Sequence, residues 1–311
     1  VNLKKVIYSN EAFTISRIGI GIPIKALKIV NLYLISTGNE KFLVDSGMGN
    51  VPGYEKIIED VDAVFITHFH VDHFGGIVRV LDKYDVDVYM NKIDLNDVMA
   101  LQEEPEKYLG MIKDLHISNG VPKELADKML VKHPGFGILK RIMGLDRIVG
   151  VDDGYKIPIN DDIIRVVWTP GHTPGHSCLY LENQRHLFSG DHILPDITPN
   201  IALLSWSHDP LKDYIDSLDK IYNLEIDLTF PGHREIIYDV KRRIEELKRH
   251  HNYRLNEMLH FLSKKSMTAY ELASKLTWDV KYDTWEDFPV VQKYFAVAET
   301  LSHLKYLYSL G

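Results

Sequence analysis

Short apolar runs, each closed by a turn signal, recur through the first 240 residues of this chain. Asn31–Ser36 and Lys41–Val44 flank Thr37-Gly38-Asn39-Glu40 and read as a β hairpin. Ala63–Thr67, Val86–Met90, Ile163–Thr169, Cys178–Leu181, His186–Ser189 and Leu228–Phe230 read as further strands. Amphipathic helices are expected between them: one from near Gly53 to Asp60, and one after Gly75-Gly76 carrying Ile77, Val78, Val80 and Leu81. A third opens at Asp209-Pro210, an N-cap followed by proline, with Leu211, Tyr214, Ile215, Leu218 and Ile221 at helical spacing. Strands interleaved with helices in this way predict an α/β fold, sheet layers covered by helices.

Two segments depart from the alternation. Residues 92–148 read as a helical insertion, with Pro105 and Pro122 as starts and Gly110, Gly120 and Gly135-Phe136-Gly137 as breaks. Such an insertion serves either as packing or as a lid over a site. From about residue 241 to 311 the chain is helical. Lys241–Ser263 repeats apolar positions, Ser266-Met267-Thr268 caps a short helix, and Pro289 opens a last one. This division predicts a main domain, 1–240, and a small C-terminal module, 241–311, either winged-helix-like or a plain three-helix unit. The aromatic residues of the final helix, Tyr294, Phe295, Tyr306 and Tyr308, suit either a core or a homodimer contact.

Candidate chemistry is concentrated where strands end. In Thr67-His68-Phe69-His70-Val71-Asp72-His73-Phe74-Gly75-Gly76, a hydrophobic strand stops at Thr67 and a helix is expected near Gly75, leaving four polar residues on the loop between. Alternate residues at a strand end share a side, so His68 and His70 can aim at one ion, and Asp72 and His73 at a second. Imidazole and carboxylate are the donors of mixed N/O sites for zinc, iron and manganese. Buried groups of this kind need partners, which leaves little structural reason for such a cluster. Pro170-Gly171-His172, Ser189-Gly190-Asp191 and Pro231-Gly232-His233 each repeat the arrangement, with a ligand-type residue just beyond an apolar run. His176 either braces the His172 loop or caps its turn, and Asn200 is a candidate substrate contact. His192 and His208 have no spacing argument and read as surface or structural. Cys178, the single cysteine, reads as a small buried strand residue and excludes an intrachain disulfide.

On these residues the chain resembles the metallo-β-lactamase-fold hydrolase superfamily. The signature His-x-His-x-Asp-His stands at His68, His70, Asp72 and His73, and the later ligands match His172, Asp191 and His233 in order. The resemblance spans about residues 5–240 and implies a four-layer αββα sandwich with two metal ions at one edge. It implies that His68, His70 and His172 hold one ion, that Asp72, His73 and His233 hold the other, and that Asp191 bridges. Asp45 resembles the family's buried aspartate beside the site; otherwise it would stabilise the turn at Ser46-Gly47. The pattern Arg243…Leu247…His250-His251…Arg254 with Ala298-Glu299-Thr300-Leu301…His303-Leu304 resembles the branch of lactamase-β-like proteins with a winged-helix-like appendage. Zinc β-lactamases with a cysteine ligand need cysteine where Asp191 stands, which argues against that antibiotic chemistry. Neither the RNA-processing clamp domain nor the glutathione-contacting tail of glyoxalase II is recognisable.

Two divalent ions sharing a hydroxide would attack a carbonyl or phosphorus centre, with zinc the default ion and iron or manganese also suited. Asp72 is then the candidate for orienting the hydroxide and passing a proton to the leaving group.

Charge bears on the substrate. The formal net charge is −8, and 241–265 alone carries a net +5. The acidic main domain and apolar insertion favour a small ester-like substrate, a thioester or lactone. The basic helix favours single-stranded RNA, unless its charges form i,i+4 pairs on a solvated face. A metal-binding regulator without catalysis has little use for an open two-ion site. Hydrophobic residues at 45% and charged ones at 26% describe a globular chain. With no leader at Val1–Ser16 and no apolar run near the ~18–20 residues of a membrane span, the expectation is a cytoplasmic protein.

Overall fold

The computed structural model describes residues 3–23, 27–49, 54, 56, 61–83, 86–279 and 282–311. Most of the helix expected between Gly53 and Asp60 lies outside the described residues. One sheet contains β1 (Leu3–Ser9), β2 (Thr14–Gly21), β3 (Ile29–Ser36), β4 (Lys41–Val44), β5 (Ala63–Ile66), β6 (Asp87–Asn91) and β7 (Ile148–Val151), in that spatial order. It is antiparallel from β1 to β4 and parallel from β4 to β7. The second contains β8 (Lys156–Ile159), β9 (Asp162–Trp168), β10 (Ser177–Leu181), β11 (His186–Gly190) and β12 (Leu228–Pro231), ordered β12-β11-β10-β9-β8. Only β11 and β12 run parallel in it.

Side-chain alternation makes the layers. In β3, Tyr33 and Ile35 enter the core between the sheets, while Leu32 and Leu34 enter the core on the opposite face. In β10, Leu179 and Leu181 face between the sheets and Cys178 and Tyr180 face outward. Helices cover both outer faces. Over the first sheet lie α1 (Val71–Phe74), α2 (Ile77–Lys83), α3 (Lys92–Glu103), α4 (Pro105–Ser118), α5 (Lys123–Lys132) and α6 (Pro134–Leu139). Over the second lie α7 (Pro210–Tyr222) and α8 (Val240–Leu262). Two mixed sheets between helical layers form the expected αββα sandwich.

The C-terminal helices α9 (Ala269–Ala273) and α10 (Val290–Leu310) extend the first helical layer. Ala269, Ala273, Tyr294, Val297 and Leu301 share one apolar cluster with Ile112, Ala126 and Met129 of the insertion. Thr268 caps α9 in a reciprocal box with Glu271. No strand occurs among the described residues after 240, so the module is seen as helices without a β wing. Within α10, Tyr294 is buried and stacks on His116, whereas Tyr308 is exposed.

Several local expectations need correction. Gly110 lies inside α4, and Gly135 and Gly137 lie inside α6, because packing of the flanking apolar residues outweighs their helix penalty of about 1 kcal/mol each. Strands β1, β2, β7 and β8 have no counterpart in the expected set. In β2, Ile15 faces one core while Ile18 and Ile20 face the other, which hides simple alternation. The short β7 and β8 contain Gly150 and Pro158.

Leu301→Ala is expected to lower stability by about 2–5 kcal/mol. One denaturant transition, moved as a whole, is the expected reading; a separate early transition for the C-terminal helices would contradict the shared core.

Candidate metal centre

Four polypeptide segments bring the chemistry to one end of the sandwich. β5 stops at Ile66 and leads through Thr67 to His68 and His70. Asp72 and His73 do not lie on an open loop as expected. They sit in the single helical turn α1, whose four residues are all buried. His172 follows β9, Asp191 follows β11 directly, and His233 follows β12. Each metal-facing group is therefore anchored within a few residues of a buried strand.

The singled-out side chains converge. Ligand-type atoms of His68, His70 and His172 lie within 4.8 Å of one another, as do those of Asp72, His73 and His233. Asp191 forms a third such group with His68 and His73, drawing one histidine from each. Its Oδ1 lies 3.4 Å from His73 Nε2, and its Oδ2 lies 3.4 Å from His233 Nε2 and 3.7 Å from His172 Nε2. Asp72 Oδ2 is 3.4 Å from His233 Nε2.

The ring nitrogens decide what this arrangement is for. His73 Nδ1 donates to Asp45 Oδ2 at 2.7 Å, His172 Nδ1 to the Asn200 carbonyl at 2.9 Å, and His233 Nδ1 to the Ile29 carbonyl at 2.6 Å. His68 Nδ1 donates to Thr67 Oγ1 at 3.0 Å, and that hydroxyl donates in turn to Asp45. The Nε2 atoms of all four rings, with Asp191 Oδ1, are buried and lack any hydrogen-bond partner. Four lone pairs and a carboxylate oxygen turned inward without donors fit a cation, since orphaned buried acceptors are otherwise costly.

Electrostatics agree. Burial, reinforced by neighbouring imidazoles, pushes His68 well below the usual range and His70 down to about 3, and burial also lowers His172 against the pull of Asp191. These rings stay neutral, as ligands must. For His73 and His233 burial acts the same way, but the Asp191 carboxylate outweighs it, with Asp45 also acting on His73; His73 rises well above the ordinary value and His233 to about 9. The field that draws protons there draws a metal cation equally. Burial disfavours the charge of Asp72, yet the adjacent His233 and His73 rings hold its carboxyl at about 2. The donor set makes a binuclear divalent-metal site.

A family model, the metallo-beta-lactamase superfamily, matches residues 27–233. The chain belongs to that superfamily. Among curated relatives, a beta-lactamase-like protein 2 homolog of Caenorhabditis elegans is 28% identical over 266 residues, 81% of this chain and 72% of the relative. An atrochrysone carboxyl ACP thioesterase of Aspergillus fumigatus is 22% identical over 228 residues, 71% of this chain but only 55% of its own length. The crystal structure of a metallo-beta-lactamase family protein from Thermus thermophilus superposes with a TM-score of 0.78 at 30% identity, covering 96% of this chain and 94% of that one. Superfamily membership and the paired ligand groups together make the chain a metal-dependent hydrolase.

The supporting shell is legible in the sequence only in part: Asp45 lies buried beside the site, as the resemblance implies. Asp45 accepts from Thr67 N–H, the Thr67 hydroxyl and His73, and holds a strained φ of 63° to do so. Asn31 and Tyr33 pin the loop that bears His233 by donating to the Pro231 carbonyl, and Asn31 also to that of Arg234. His176 accepts the Asp191 backbone N–H at 3.2 Å, so it braces the Asp191 loop as well as closing its own turn. The Asn200 side chain is not turned to substrate: it donates to Glu299 on α10 at 2.7 Å. His192 is fully buried beside His176 and Tyr214, and His208 is exposed. Cys178 is buried in β10, its thiol pushed up to about 12 by burial. Asp94 and Glu299 are both buried; Asp94 carries no motif, and Glu299 belongs to the Ala298–Leu304 pattern, which does not show its contact with Asn200.

Gly232 leaves room for the cluster: a Cβ there would stand 2.5 Å from Asp191 Oδ1 and 2.7 Å from His73 Cε1. Gly232→Ala is therefore expected to keep the wild-type circular dichroism but to retain fewer than two ions per chain by elemental analysis. Full loading of the folded variant would contradict the geometry.

Proposed function

We propose that this chain hydrolyses a small ester-like substrate, a thioester or lactone, at a two-ion centre. In this reading His68, His70 and His172 would hold the first ion and Asp72, His73 and His233 the second, with Asp191 available to both. Zinc is the preferred ion, and iron or manganese suits the same donors. When bound, such ions supply Lewis acidity and ionise water near neutral pH. Asp72, held ionised, serves as the hydrogen-bond acceptor that orients the attacking water and relays its proton to the leaving group. The four pinned Nδ1 atoms keep the imidazoles from turning as charge develops.

The observation that carries the substrate class is the wall beside the ligand loop. Phe69, between His68 and His70, lines a small cleft with Val98, Leu101, Tyr108, Phe136 and Leu139 and the carboxylate of Asp97, all from the insertion. A mostly apolar wall with one carboxylate favours contact with an uncharged acyl or ring carbon over a phosphodiester backbone. The thioesterase activity named for the fungal relative points the same way. The basic stretch of α8 gives little support to an RNA substrate. Arg243 is spent on the Leu194 and Ile197 carbonyls, Arg254 on the Thr277 carbonyl and the Trp278 face, and Lys248 on Asp219. Arg242 pairs with Glu246. No described helix is long and apolar enough to cross a membrane.

A panel of thioesters, lactones and short single-stranded RNA, run on metal-analysed protein and on Asp191→Ala, tests this. Thioester or lactone cleavage that is lost in the variant, with rates nearly indifferent to salt between roughly 50 and 200 mM, is expected. Salt-steep RNA cleavage lost in the same variant would overturn the substrate class. Asp72→Asn is expected to lose about 10²–10⁴-fold in turnover; near-normal turnover at full metal loading would remove Asp72 from the proton path.

A further inference from the structure

One buried carboxylate lies outside the ligand set yet touches two of the loops that carry it. Asp94, in the first turn of α3, has no exposed surface. Its Oδ2 accepts from the Phe69 N–H at 3.1 Å and from the Thr173 hydroxyl at 2.7 Å, and its Oδ1 accepts from the Gly175 N–H at 2.5 Å. Phe69 stands between His68 and His70, and Thr173 directly follows His172. Three donors from two loops thus meet on one side chain. At these points neither loop has a strand ladder to hold it, since β5 ends at Ile66 and β9 at Trp168. The contact leaves no slack: a Cβ at Gly175 would fall 2.4 Å from Asp94 N and 2.6 Å from Oδ1.

We infer that Asp94 is a positioning residue for the first ion, fixing the His68–His70 loop against the His172 loop. The inference rests on the proposal that these three histidines share an ion. It gives the helical insertion a second duty: besides packing, it sets the geometry of a metal centre whose ligands all lie outside it. An aspartate suits the position because both oxygens face donors. Asparagine there would turn an NH2 group toward at least one N–H or O–H and push the loops apart.

The test loads wild type, Asp94→Asn and Thr173→Val with Co²⁺ and titrates each against a chromophoric chelator, alongside the melting temperature of the metal-free forms. Wild type is expected to take two ions. Asp94→Asn is expected to weaken one of them by about 10–100-fold and leave the other unchanged, the range typical of lost outer-shell partners. Thr173→Val should weaken the same ion by less. In a His70→Ala background, where the first ion is already compromised, adding Asp94→Asn should change nothing further. Wild-type affinity for both ions in Asp94→Asn, or an equal loss of both, would overturn the inference. Should Asp94→Asn not fold, Thr173→Val decides alone, and unchanged affinity overturns it. Wild-type protein that binds fewer than two ions would remove the ligand proposal, and this inference with it.

Discussion

An imidazole that offers Nε2 as a lone pair must keep its proton on Nδ1, and Nδ1 must then have an acceptor. In this chain that requirement organises the surroundings of the site. Asp45, the Thr67 hydroxyl and the carbonyls of Asn200 and Ile29 are the four acceptors, and they come from four different stretches. Each acceptor is itself held. Asp45 is fixed by Thr67, the Asn200 side chain by Glu299, and Ile29 begins β3, whose Asn31 and Tyr33 clamp the loop that bears His233. The sandwich supplies the strand ends, and the loops and the turn α1 just beyond them supply the converging side chains. Tautomer control supplies the rest, and it reaches from the first sheet to the last helix.

Close approach is the second constraint. Gly190, at a positive φ of 48°, lies where a side chain would meet His176 and Thr67, and Gly232 lies against Asp191 and His73. Two strand ends therefore come within backbone contact of the ligand cluster. Seven polar groups pack this tightly because the strands that deliver them carry no side chain at the point of closest approach.

The candidate ligands that converge were legible in the sequence because their spacing is local: four within six residues, and three more, each one residue past a glycine near a strand end. The αββα layers followed from strands alternating with helices and from the resemblance those ligands carry. What escaped reading was whatever depends on residues distant along the chain. Asp94 bonds to a segment 79 to 81 residues away, and Glu299 meets Asn200 across 99. Asp94 has no periodicity or motif to mark it, and Glu299, though part of the Ala298–Leu304 pattern, looks like an ordinary helical acid. Strand β2 escaped for another reason. It is covered on both faces, so its apolar residues divide between two cores, Ile15 to one and Ile18 and Ile20 to the other.

The contact between Asn200 and Glu299 has a consequence in time as well as in space. His172 emerges from the ribosome long before the helix that steadies its acceptor, for Glu299 is added 99 residues after Asn200. The Leu203 N–H, bonded to the Ala298 carbonyl, waits on the same helix. Until α10 docks, the His172 loop lacks its outer support, although its histidine is already synthesised. The outer support of the His172 loop is thereby added later than His172 itself, and a chain stalled before α10 holds that imidazole without its steadied acceptor.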